Sequence, residues 1–192
     1  STLSSSSAAS DVYKRQKIHF PNYIVVVSAT MGAFISYIIN LGVVLLFALI
    51  LHVQFTWRVL LLPLNIIELY AIALAITLIM STMYVYYRDI AHIWDVLQQL
   101  IFYGMPIIYP LSYVTSQGGL LADLARLELV NPFAQSIQDI RHNLIAPETQ
   151  PTIWNQFHNP LIQWFPVVFT VFMLWLGVYL FRRNSRQFAE VM

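Results

Sequence analysis

Glu68 is the residue whose position most demands a chemical explanation. It lies near the middle of an apolar run over about 59–84, where an ionised carboxylate costs at least about 2.5 to 3.5 kcal/mol on insertion scales. The carboxyl is therefore protonated, paired or turned toward a wet cavity. Two readings stand side by side: a neutral Glu hydrogen-bonded to a neighbouring helix, or a group that takes part in transport. A second pattern runs over 84–113, where Tyr86-Tyr87-Arg88-Asp89 leads into an apolar segment interrupted by Gly104, Pro106 and Pro110. In a continuing helix Pro106 leaves the carbonyl of Phe102 without a donor, and Pro110 leaves that of Pro106, so two freed acceptors lie one turn apart on one face. A helix break in lipid is costly unless protein or a water-filled cavity satisfies those groups. The segment thus reads either as a packed kink or as part of a pathway or gate.

Other chemistry is thin. His19, His52, His92, His142 and His158 are scattered without paired ligand spacing, which argues against a metal site. His92 and Asp95 stand at i, i+3, a spacing that suits an interfacial hydrogen bond better than a proton relay. The six glycines are spread from Gly32 to Gly177 and form no Walker-type phosphate loop, so the chain carries no ATP site of that kind. Without cysteine there is neither a disulfide framework nor a thiolate site. No cofactor is expected, and no convergent carboxylate or histidine cluster marks an enzyme.

These residues must be positioned by membrane helices. Hydrophobic residues make up 58% of the 192 and charged residues 10%, with the apolar residues in long blocks, the composition of an integral membrane protein. Spans are expected at about 23–51, 59–84, 93–113 and 161–181, an all-α polytopic transmembrane bundle of about four spans. Pro63 falls in the first turn or two of the second span, where its missing N–H does least harm. Between the last two spans, a helix near 120–129, a restart at Asn131-Pro132 and an apolar stripe of Phe133, Ile137, Ile140 and Leu144 predict external amphipathic or re-entrant helices. Gln135, Gln138, Asp139 and Arg141 occupy the remaining faces. Trp154, Phe157 and Trp164 suit an interfacial aromatic belt.

Lys14, Arg15, Lys17, Arg88, Arg182, Arg183 and Arg186 fall on one side of such a bundle, and Arg58, Arg126 and Arg141 on the other. Lys and Arg favour cytoplasmic loops, so both termini are expected in the cytoplasm. Residues 1–16, nearly all Ser and Ala at first, lack the basic start and apolar core of a signal peptide. They read as a non-native leader ahead of a transmembrane domain at 17–192. A formal net charge of +1 gives no sign of a nucleic-acid partner.

The ordered motifs resemble the membrane subunits of type-2 ABC exporters of O-antigen, capsular polysaccharide or teichoic acid. A basic-aromatic segment, Lys17-Ile18-His19-Phe20-Pro21, precedes a long span, and the next span ends in Val85-Tyr86-Tyr87-Arg88-Asp89-Ile90. Pro106-Ile107-Ile108-Tyr109-Pro110 and Asn131-Pro132-Phe133 follow, and the last span closes on Phe181-Arg182-Arg183 ahead of Phe188-Ala189-Glu190-Val191. Family members carry an interface helix and two further spans ahead of the Lys17 region, so the resemblance implies an N-terminally truncated permease subunit. It also implies that Lys17 to Pro21 contact an ABC ATPase subunit and that Tyr87, Arg88 and Asp89 form a cytoplasmic turn. Two copies of the membrane subunit would pass a lipid-linked glycan across a bacterial cytoplasmic membrane, with ATP hydrolysed by the partner. Gly104, Pro106 and Pro110 would then lie near an outer closure.

Sugars stack on aromatic faces, so Tyr84, Tyr87, Phe102, Tyr103 and Tyr109, with Glu68, are candidates for the substrate path; helix packing or an interfacial belt is the plainer reading of each aromatic. The rival function is an ion-coupled secondary transporter that uses Glu68. A membrane-embedded enzyme acting on lipid-linked sugars is a third.

Overall fold

The computed structural model describes residues 22–87, 89–145 and 148–184. Lys17, Ile18, His19, Phe20 and Pro21, the leader over 1–16, Arg88 and the tail from Ser185 lie outside the described residues. Helix α1, Asn22–Ile50, holds no Asp, Glu, Lys or Arg. It ends where His52 enters the left-handed region at φ 53°. The amide of Val53 then donates to Ala48 O at 3.0 Å and that of His52 to Leu49 O at 3.1 Å, closing two carbonyls of the last turn in a Schellman motif.

A 3₁₀ turn, Trp57–Leu61, feeds α2, Leu62–Tyr86, with Pro63 in the first turn as expected. Helix α3 is Ile90–Gly104, followed by short α4, Leu111–Ser116, and α5, Gly119–Glu128. Helix α6 is Pro132–Leu144; the Asn131 side chain accepts from the Phe133 amide at 3.1 Å, and Pro132 needs no donor partner at that position. A single turn, α7 at Ile153–Gln156, precedes α8, Pro160–Asn184. Every regular element among the described residues is helical.

Three stretches are long and apolar enough to cross a membrane: Tyr23–Ile50, Trp57–Tyr86 and Pro160–Asn184. These match the first, second and fourth expected spans. The third differs. Helix α3 has 15 residues, about 22 Å at 1.5 Å per residue, against a hydrocarbon core of about 30 Å. It does not continue to residue 113, because Met105 is extended (φ −89°, ψ 153°), the conformation a following proline imposes. The prolines therefore end the helix at Gly104, where a span over about 93–113, read either as a packed kink or as part of a pathway or gate, was expected.

Helices α2 and α8 form the spine. Leu78 packs with Phe181, Val178 and Val85, and Gly177 sits so close to α2 that a Cβ there would lie 2.9 Å from Ala75 O. Both helices start at the same end of the bundle, so they run parallel. Helix α1 runs the opposite way against α2: Thr30 and Tyr70 hydroxyls lie 3.3 Å apart, and the rings of Phe34 and Tyr70 have centroids 4.7 Å apart. Near the start of α2, Leu62 and Ile66 join Ile140 and Leu144 of α6 in one core cluster, flanked by Phe34, Tyr37 and Leu41 of α1. A second cluster, Leu111, Ala125, Leu129 and Ile153, ties α4, α5 and α7 together at the same end. The outer faces of the long helices keep Ile39, Leu64 and Val168 exposed, the surface that a bilayer covers.

Candidate functional site

A cavity of about 790 Å³ opens where α2 and α8 begin, walled by the 3₁₀ turn, α2, α6, α7 and α8. Its position follows from α6. The stripe of Ile140 and Leu144, expected on an external amphipathic or re-entrant helix, packs against α2, and the polar positions of that helix are buried as well. Gln135, Ser136, Gln138, Asp139, His142 and Asn143 are all within the core. Helix α6 is thus inserted between the long helices instead of lying on them, and one face of its polar residues meets the cavity.

Burial of so many polar groups is tolerable only where they find partners. Asp139 Oδ2 accepts from Gln135 Nε2 at 2.6 Å and from the Trp154 indole at 3.1 Å. Asn143 Nδ2 donates to Asn65 Oδ1 at 3.0 Å, joining α6 to α2. Arg58 donates to His142 Nε2, and because a guanidinium only donates, Nδ1–H of that ring is left to donate to Gln150 O at 3.0 Å. Burial pushes the Asp139 carboxyl above the usual carboxylate range; the bonds from Trp154 and Gln135 and the nearby His142 draw it back.

A second contact set holds the helix break. Arg141 donates to the carbonyls of Pro106 and Ile107, while the Tyr109 hydroxyl donates to Glu128 Oε1 at 3.3 Å. The Glu128 carboxyl is raised by burial, against the effect of that bond.

Glu68 lines the cavity. The remaining expected path residues do not. Tyr84 is exposed toward the far end of α2, Phe102 and Tyr103 are exposed on α3 with ring centroids 5.5 Å apart, and Tyr109 belongs to the break. Tyr87 and Asp89 flank the turn between α2 and α3. Gly104 ends α3, Pro106 is buried, and Pro110 precedes α4 in extended conformation.

Sequence reading missed the aromatic wall. Trp57, Trp154 and Trp164 all face the cavity, and the last two meet edge to face with centroids 5.5 Å apart. Trp154 and Trp164 were read with Phe157 as an interfacial belt, which carries no common address, and Trp57 was not singled out; the placement of α7 brings Trp154 to the others. The polar face of α6 was visible in the sequence, and its heptad-like apolar stripe directed attention to the other side. Among the described residues no group of three or more His, Cys, Asp or Glu could hold a metal ion.

Over 174 residues the sequence is 25% identical to the O-antigen export system permease protein RfbA of Myxococcus xanthus. This chain is similar to an export permease. The alignment takes in 91% of the chain and 62% of that relative, so the chain spans less than two thirds of the length of the curated protein it matches. The three apolar helices agree with a multi-pass membrane protein. No protein-family model and no solved structure matches.

Proposed function

We propose that this chain is part of the membrane subunit of an ATP-driven exporter that moves a lipid-linked polysaccharide, or a teichoic-acid-like polymer, across a bacterial cytoplasmic membrane. The observation that carries this reading is the relationship to an O-antigen export permease along 91% of the chain. The arrangement of helices suits it: α2 and α8 run parallel as a rigid spine, and broken segments gather at the end where both begin. Irregular backbone at membrane depth is tolerated where protein covers it, and Arg141 covers it here.

In this proposal the subunit acts as a homodimer with two copies of an ABC ATPase, which supply the energy, and the chain performs no catalysis itself. Lys17 to Pro21 couple it to the ATPase, with both termini in the cytoplasm. The cavity end then faces outward, and Tyr87, Arg88 and Asp89 form an inner turn. Tyr84, Phe102, Tyr103 and Tyr109 are available as stacking faces along the path, separate from the cavity that contains Glu68.

Co-expression of the full-length gene with its partner ATPase in proteoliposomes tests the proposal. ATP-dependent movement of lipid-linked glycan is expected, abolished by charge reversal at Lys17 or by Phe20→Ala while glycan binding persists. Normal export by both variants would remove the coupling assignment. The ion-coupled rival rests on Glu68 at the cavity; it gains if Glu68→Gln stops transport while ATP depletion at constant membrane potential does not.

A further inference from the structure

We propose that the cavity between α2, α6, α7 and α8 is a saccharide subsite built from one copy of the chain, selective for a neutral or amino-bearing pyranose over a uronate. This rests on the exporter reading for the source of the sugar, but its chemistry comes from the cavity wall. Three buried oxygens on that wall lack a donor: Glu68 Oε1, Gln135 Oε1 and Asp139 Oδ1. The orientation of the Gln135 amide is settled by its neighbour, since only the nitrogen can donate to Asp139. The Gln135 orphan is therefore an acceptor, and the two carboxyl oxygens accept in their ionised form. A buried acceptor without a partner is costly, and an occupant that brings hydroxyl or ammonium donors relieves it.

The aromatic part of the lining asks for a ligand with an apolar face. Trp57, Trp154 and Trp164 present indole surface to the cavity, and Trp57 is 74% exposed. A pyranose meets both demands, with axial C–H groups for the rings and hydroxyls for the oxygens. The cavity volume falls within the roughly 300–1,000 Å³ of small-ligand sites. An acyl chain would satisfy the indoles and leave the oxygens unpaired. Selectivity follows from what the wall lacks: a uronate carboxylate needs a cation, the wall offers the Glu68 and Asp139 carboxyls in its place, and the one guanidinium there, Arg58, is engaged with His142.

The test uses the full-length protein with its ATPase partner in nanodiscs, titrated with methyl mannoside, methyl glucosaminide and methyl glucuronide while tryptophan fluorescence is followed. Saturable quenching by the first two is expected, with the glucuronide at least about tenfold weaker. Trp164→Leu is expected to weaken the mannoside about tenfold. Glu68→Gln, which keeps the shape and replaces a carboxyl with an amide that can donate, is expected to narrow the gap between mannoside and glucuronide. Absence of quenching by both mannoside and glucosaminide, equal binding of all three sugars, or selectivity unchanged in Glu68→Gln would overturn the proposal. ATP-driven glycan movement in the same particles separates the two claims: transport without glycoside binding sinks the subsite and leaves the exporter, whereas binding without transport does the reverse.

Discussion

The guanidinium of Arg141, on α6, donates to the backbone carbonyl of Pro106, the acceptor that Pro110 would leave open in a continuing helix, and to that of the adjacent Ile107. One planar fork thus replaces donors that the proline-rich backbone cannot supply, and it anchors the end of α3 to a helix 34 to 35 residues further along the chain. Arg141→Ala is expected to leave both carbonyls short of a partner and to cost about 3 kcal/mol. Arg141→Lys, with a point charge in place of the fork, should recover only part of that. Thermal unfolding of the purified full-length protein measures the order; equal midpoints for all three proteins would refute it.

Gly177 and Gly42 give opposite forecasts for the same substitution. A Cβ at Gly177 would meet Ala75 O at 2.9 Å, whereas at Gly42 nothing lies within 4 Å. Gly177→Ala must push α8 away from α2 and should destabilise by about 1–3 kcal/mol. Gly42→Ala, inside α1, should be neutral or stabilising by up to about 1 kcal/mol. Resistance to unfolding in a denaturing detergent series compares them directly.

Asn65 and Asn143 join α2 to α6 through one buried bond of 3.0 Å. A double-mutant cycle with alanine at each position should return a coupling energy of about 1 kcal/mol. Additive losses would show that the two side chains are held independently by other contacts.

Asp139 predicts a pH dependence of stability. Its carboxyl is raised by burial, so the folded state holds the proton more tightly than the unfolded chain does. The favourable contribution is fully present below the ordinary carboxylate pKa and is lost as pH rises through the elevated folded value. Glu68 and His142 share the same cavity wall. Melting temperature should therefore fall as pH rises from the ordinary carboxylate range, and Asp139→Asn should flatten that slope. A slope unchanged by the substitution would assign the effect to other groups.

The long helices were legible because hydropathy is local. A run such as 23–51 without a charged residue has few alternatives to a membrane helix, and Pro63 and Asn131-Pro132 mark starts by their own backbone chemistry. Gly104 and Pro106 were readable as a break, but its form was not. Whether a proline kinks a helix or ends it depends on whether another group takes the freed carbonyls, and Arg141 is remote in sequence.

The cavity lies beyond that local reading. Glu68 was singled out because a lone carboxylate in an apolar run violates a rule that needs only neighbours in sequence to apply. Its company was not legible: Asp139 and Gln135 come from α6, Trp154 from α7 and Trp164 from α8, and they meet only after α6 is inserted beside α2. Composition and periodicity, which follow from the properties of residues a few positions apart, were enough for an all-helical membrane chain and for most of its spans. Tertiary structure decided that both faces of α6 are buried, that Tyr84, Phe102 and Tyr103 stand apart from Glu68, and that three tryptophans share its cavity. Those outcomes depend on which helix faces pack together, a balance of shape and hydrogen bonding between segments that no single segment carries.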